Sequence, residues 1–94
     1  MNKQQAILKS EKSIHVKQEK NNWYLLIDHE DKHRIQIIDR KAAIWLSGLY
    51  KIQLAMRLMG HTDASIASAS LRYSNYEDIG RRWTQYVLDI NGNI

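Results

Sequence analysis

Hydrophobic positions change their spacing twice along this 94-residue chain. From Ser13 they alternate, with Ile14 and Val16 on one side and His15 and Lys17 on the other, as in a half-buried strand. Asn21-Asn22 tolerates the positive φ of a tight hairpin turn. The run WYLLI that follows consists of strand formers without polar interruption, which predicts a central strand covered on both faces. The polar DHEDK makes the next turn, and HRIQII gives a third strand with Ile35 and Ile37 inward. The pattern predicts a three-stranded antiparallel meander over residues 13–19, 23–28 and 33–38.

After Asp39 the spacing becomes helical. Asp39 is placed to cap a helix over RKAAIWLSGLY, which Ser47-Gly48 ends or kinks. Leu49, Ile52, Met56 and Met59 recur at spacings of 3, 4 and 3 and share one helical face. Leu54 and Leu58 line the neighbouring face, leaving Lys51, Gln53 and Arg57 polar. Gly60 stands where a helix end needs a left-handed residue, and Thr62 can cap a second helix with Ile66 and Ala69 inward. Ser74 or Asn75 is then placed to cap a last helix, with Glu77 and Asp78 near its positive end. Its stripe is Ile79, Trp83, Tyr86 and Ile90, and Asn91-Gly92-Asn93 stops it. The fold class is therefore α+β: a three-stranded antiparallel meander followed by three to four helices, the sheet packed on the first and last of them.

Composition narrows the class. A hydrophobic share of 44% excludes a disordered chain, and the length gives one domain. Residues 1–12 read as a basic N-terminal arm, mobile or forming a short frayed helix, ahead of a single α+β domain over 13–94. With no cysteine there are neither disulfides nor thiolate metal sites, which fits the cytoplasm. The opening MNKQQAILKSEKS is too polar for a signal peptide. The most apolar run, Ala42 to Met59, is broken by Ser47, Lys51, Gln53 and Arg57, so it reads as core helix rather than membrane span. Trp23, Trp45 and Trp83 are expected in the core.

The net charge of +4 is unevenly spread. Residues 1–20 carry +3 and residues 40–72 carry +4, whereas 28–39 carry −2 and the last 22 residues −1. Such asymmetry favours a polyanionic partner.

Residues 52–71 resemble a helix-turn-helix: Ile52–Met59, Gly60 in the turn, then Asp63–Leu71. Ala55, Met59, Ile66 and Ala69 fall at the usual apolar positions of that template, while Met56 and His61 depart from it. The resemblance implies duplex DNA as partner, with Lys51, Arg57 and Arg72 near phosphates and Thr62, Ser65 and Ser68 toward the groove. Lys17, Lys20 and Arg34 on the strand hairpins would extend the footprint as a wing, although here the hairpins precede the helices. A single module of this charge gives modest affinity, so a homodimer is expected. The expected role is a transcription regulator or an accessory factor of a mobile element. The competing reading is a protein-interaction module, an inhibitor or assembly factor, with no nucleic-acid binding.

RLMGHTDASIASASLRYSN also resembles the C-terminal segment of tyrosine recombinases, through Gly60, His61 and Tyr73, with Lys32 on a preceding hairpin. The family's His-x-x-Arg box is absent, and Gly60 to Tyr73 is longer than its usual interval. No set of arginines gathers to hold a scissile phosphate, as phosphoryl transfer requires. His29 and His33, with Asp28, Glu30 and Asp31, read as a solvated turn rather than a metal cluster. No nucleophile elbow or Gly-rich phosphate loop occurs, so neither an enzyme nor a cofactor is expected.

Overall fold

The computed structural model describes residues 1–75 and 79–92, of residue 79 the backbone only. It is an α+β fold in the order α1 (Lys3–Ser13), β1 (Ile14–Glu19), β2 (Asn22–His29), β3 (Asp31–Ile37), α2 (Arg40–Leu58), α3 (Asp63–Ser74), a 3₁₀ turn (Ile79–Arg81) and α4 (Arg82–Ile90). The strands form one antiparallel sheet in the order β1-β2-β3. Val16, Leu25 and Ile35 line up across it, as do Ile14, Ile27 and His33. Strands and turns sit slightly differently from the sequence expectation. The left-handed residue of the first hairpin is Lys20, at φ +56°, not an asparagine, and Glu30 at φ +63° alone joins β2 to β3.

The segment expected as an arm or a frayed helix is α1, and it is docked. Asn2 caps it in a capping box with Gln5, and Ala6, Ile7 and Ser10 are buried. Burial, not intrinsic propensity, holds so short a helix. This face escapes a periodicity scan because two of its four buried residues, Ser10 and Ser13, are polar and Ala6 is small, which leaves Ile7 as its one large apolar side chain.

Helix α2 organises the molecule. Asp39 accepts from the Ala42 N–H at 2.8 Å, as its position before the apolar run predicts. The helix then runs unbroken through Ser47 and Gly48, both buried, where the sequence suggests an end or a kink. The reason is tertiary: a Cβ on Gly48 would stand 3.3 Å from Arg82 Cβ and 3.7 Å from Trp83 N, so the start of α4 rests on the bare glycine. One face of α2 joins Ala43 and Leu54 to Ile14, Leu25 and Ile37 of the sheet. The opposite face joins Leu49, Ile52, Ala55 and Met56 to Ala6, Ile66, Tyr73 and Tyr86. The three tryptophans are part-buried against these clusters.

Two expectations about the last helices are corrected. Ser74 ends α3 and Asn75 is its C-cap, so neither caps the final helix. Helix α4 packs on α2 and α3 rather than on the sheet, which is covered by α1 and α2. Trp83, Tyr86 and Ile90 do form its inward stripe. Glu77 and Asp78, expected at its start, and Asn93, expected after its end, lie outside the described residues, as does the side chain of Ile79. The outer face of the sheet is half-buried by its own side chains rather than by a helix. Arg34 lies over the Tyr24 ring at 4.5 Å, so β2 lacks the second covering layer expected for WYLLI. No helix among the described residues is long and apolar enough to cross a membrane.

Candidate nucleic-acid interface

The junction between α2 and α3 is built from backbone chemistry that the sequence announces. Gly60 adopts φ +89°, and its N–H donates to the Arg57 carbonyl at 3.1 Å. The His61 N–H donates to the Met56 carbonyl at 3.0 Å. Together these satisfy the last carbonyls of α2 in a Schellman arrangement, which requires a left-handed residue at Gly60. Thr62 at once opens α3, accepting from the Ser65 N–H at 3.2 Å and donating to the Ser65 hydroxyl at 3.1 Å. A stop and a start so close together fix the second helix against the first.

Only Ile66 and Tyr73 of α3 are buried, with Ala69 packed beside them. Gln53 of α2 donates to the Ser70 hydroxyl at 3.1 Å, and that hydroxyl donates to the Ile66 carbonyl at 2.9 Å. The remaining surface has two flanks. On one, His61, Ser65, Ser68 and Arg72 follow one another at spacings of 4, 3 and 4 and line a cleft against Tyr86, Asp89 and Ile90 of α4. On the other, Arg57 stands with Asp63, Ala67 and Leu71. Leu71 is 70% exposed.

At the far end of the cleft Tyr73, 4% exposed, donates its hydroxyl to Asp89, which also accepts from Gln85 at 2.8 Å. Burial first, and then Asp89, push the Tyr73 phenol up to about 12. The same hydrogen bond holds Asp89 below its ordinary value, with Gln85 assisting. Tyr73 thus serves as a fixed donor rather than as an accessible hydroxyl. Tyr86 meets its edge at 5.6 Å and stacks on Trp83 at 5.8 Å, and burial raises the Tyr86 phenol to about 12 as well.

The structure brings together Ser65, Ser68 and Arg72 on α3, with Thr62 at its cap bonded to Ser65, and leaves the other expected contacts elsewhere. Arg57 is close by but on the opposite flank. Lys51 points away, half-buried in a recess with Ile44, Gly48 and Trp83, and burial lowers its amine despite the opposing charge of Glu11. Lys17 and Arg34 both pair with Glu19, at 3.2 and 3.1 Å, on the outer face of the sheet. Those two cations hold the Glu19 carboxyl below its ordinary range. Lys20 is exposed at the hairpin tip.

Two residues near this surface fall outside the set that sequence reasoning produces. His61 belongs to the cleft row, and its 4-3-4 spacing with Ser65, Ser68 and Arg72 is the signal that could have found it. Arg82 carried no such signal. It is 2% exposed, donates to the carbonyls of Tyr73 and Ser74, the latter at 2.7 Å, and lies 5.2 Å from the Trp45 ring centroid. Its guanidinium closes the C-terminal end of α3, and burial pulls its pKa down. His29 and His33 lie on different strands, β2 and β3. Comparison of the chain with protein-family models, with curated proteins and with solved structures finds no match.

Proposed function

We propose that this protein binds duplex DNA through α3 and the Gly60 turn, as a regulator or mobile-element accessory factor acting in the cytoplasm by binding rather than catalysis. The observation that carries the reading is the α2–turn–α3 unit. Its second helix is pinned at both ends, with Thr62 at its cap, and offers Ser65, Ser68 and Arg72 on one flank, while Arg57 of α2 stands on the other. Small side chains let the helix backbone approach a groove closely, and the two arginines stand apart as for separate backbone phosphates. Among the residues of α3 the one acid, Asp63, is at the N-terminal end, where it is stabilised by the helix dipole. The buried Tyr73 supports binding over a recombinase-type phosphoryl transfer, because a nucleophile must reach its phosphate.

The sheet contributes less in this reading than a wing would. Lys17 and Arg34 share the single negative charge of Glu19, so the three together carry +1, and Lys20 adds the exposed cation of the hairpin tip. The test is fluorescence anisotropy against random duplex DNA at about 50 and 200 mM salt. Phosphate contacts predict an affinity that falls steeply between them. Absence of binding at the lower salt removes the proposal.

One observation favours the second reading, a protein-interaction module. Leu71 stands 70% exposed in the last turn of α3, where a purely phosphate-seeking surface has no use for it. In that case binding to a protein partner survives high salt and is lost on Leu71→Ser.

A further inference from the structure

The sheet ends in an unguarded edge. Strand β3 pairs with β2 on one side, and among the described residues no strand pairs with its other side, so every second residue presents backbone N–H and C=O groups outward. Natural edges are commonly protected by charged side chains at their middle. Here the central cation is withdrawn. Arg34 folds across the outer face over Tyr24 and reaches Glu19 on the far strand, β1, at 3.1 Å. Beside the exposed Lys32, His33 and Gln36, two apolar residues stand open: Ile35 is 36% exposed on the inner face, where α2 covers Ile37 but not Ile35, and Ile38, one residue beyond the strand, is 90% exposed.

We propose that this edge pairs with the same edge of a second copy, antiparallel about Ile35, to form a continuous six-stranded sheet from two three-stranded ones. The occupant follows from the order of residues along β3. In an antiparallel pair centred on Ile35, directly opposed residues share a face, so inner residues meet inner and outer meet outer. Ile35 then meets Ile35 of the second copy, and His33 meets Ile37. Arg34 meets the neutral Gln36, and Lys32 meets Ile38, whose side chain can lie along the lysine stem. Centring the pair on Arg34 instead would oppose two arginines, and centring it on His33 would oppose two histidines. From residue 32 to residue 38 the Ile35 register opposes no like charges, and Asp39, which falls opposite Asp31, is already held as the cap of α2. The register also covers the two exposed isoleucines. This inference stands on the strand edge and does not depend on DNA binding.

The chain has no cysteine, so an engineered one reports register directly. Opposed residues in antiparallel strands approach to about 4.5–5.5 Å between Cα atoms, within disulfide reach. Ile35→Cys is expected to form a covalent dimer under mild oxidation, well above the level given by Leu8→Cys, which is exposed on α1 away from the edge. Sedimentation equilibrium supplies the second readout. Ile38→Lys sets a lysine against Lys32 of the second copy, and should weaken dimerisation roughly tenfold or more. Because Ile38 lies outside the core, its replacement leaves the monomer folded, as circular dichroism will show. A wild-type chain that remains monomeric up to about 1 mM overturns the proposal and leaves the edge to an extended segment of another protein. A dimer indifferent to Ile38→Lys, or an Ile35→Cys variant that cross-links no better than the α1 control, overturns it equally.

Discussion

Replacing Gly60 by valine isolates the backbone cost of the turn between α2 and α3. No atom lies within 4 Å of a Cβ built at Gly60, so added bulk meets nothing. The whole penalty comes from holding a side-chain-bearing residue at φ +89°. For an ordinary L-residue the left-handed region costs about 1–2 kcal/mol, and a β-branched residue sits at the upper end or beyond. If valine instead leaves that region, the two hydrogen bonds to the Arg57 and Met56 carbonyls are lost, at about 1 kcal/mol each. Either route predicts a destabilisation of about 2 kcal/mol, which in a domain of this size lowers Tm by roughly 8–16 °C. Thermal unfolding followed by far-UV circular dichroism measures it. Gly60→Asn should lose less than half as much, because asparagine tolerates the left-handed region. Gly92→Val is the matched control: its φ is +68° and its surroundings are equally open, but it does not join two of the described helices. An unchanged Tm for Gly60→Val, or an asparagine variant as damaged as the valine, refutes the reasoning.

Three further outcomes follow from the same structure. Arg57→Ala with Arg72→Ala should weaken DNA binding and reduce the slope of log K against log salt by about 1.8, two phosphate contacts, while sparing Tm; an unchanged slope places the DNA elsewhere. Tyr73→Phe removes the donor that lowers the Asp89 carboxyl. A carboxyl lowered on folding stabilises above its unfolded value, near 3.8, and loses that contribution as pH falls through its lower folded value. The Tm gap between wild type and Tyr73→Phe should therefore be present at neutral pH and narrow below 3.8, a gap constant into acid contradicting the assignment. Glu19 titrates in the same window but equally in both proteins, so it cancels. Gly48→Val should cost about 1–3 kcal/mol by pushing the start of α4 away from α2, whereas Gly48→Ala gains helix propensity and nearly cancels the crowding. Denaturant midpoints compare the two, and equal effects would mean that α4 does not rest on the glycine.

Local rules sufficed for much of this protein. Alternation from Ile14, a helical spacing from Asp39, glycine at a helix end and threonine at the next start are short-range signals. Each is enforced by backbone sterics or by a hydrogen bond spanning three or four residues. They identify the meander, the helical run after Asp39, the Gly60 turn and the Thr62 cap from the amino acids alone. The net basic charge of residues 40–72 is equally a property of the chain.

Tertiary packing decided what those signals leave open. Residues 3–13 become a docked helix because α2 offers a surface for Ala6 and Ser10, and Gly48 stays helical because Arg82 and Trp83 press on it. Charges were the least legible part. A lysine in a sequence is a free cation until its neighbours are known, and here Lys17 and Arg34 share Glu19 while burial takes Lys51. Glu19 and Arg34 stand on strands that only the folded sheet brings together, and Trp83 reaches Lys51 from the last helix. Ion pairing and desolvation are set by distance in space, so the sequence determined which residues carry charge and only the fold determined which of them remain available to a partner.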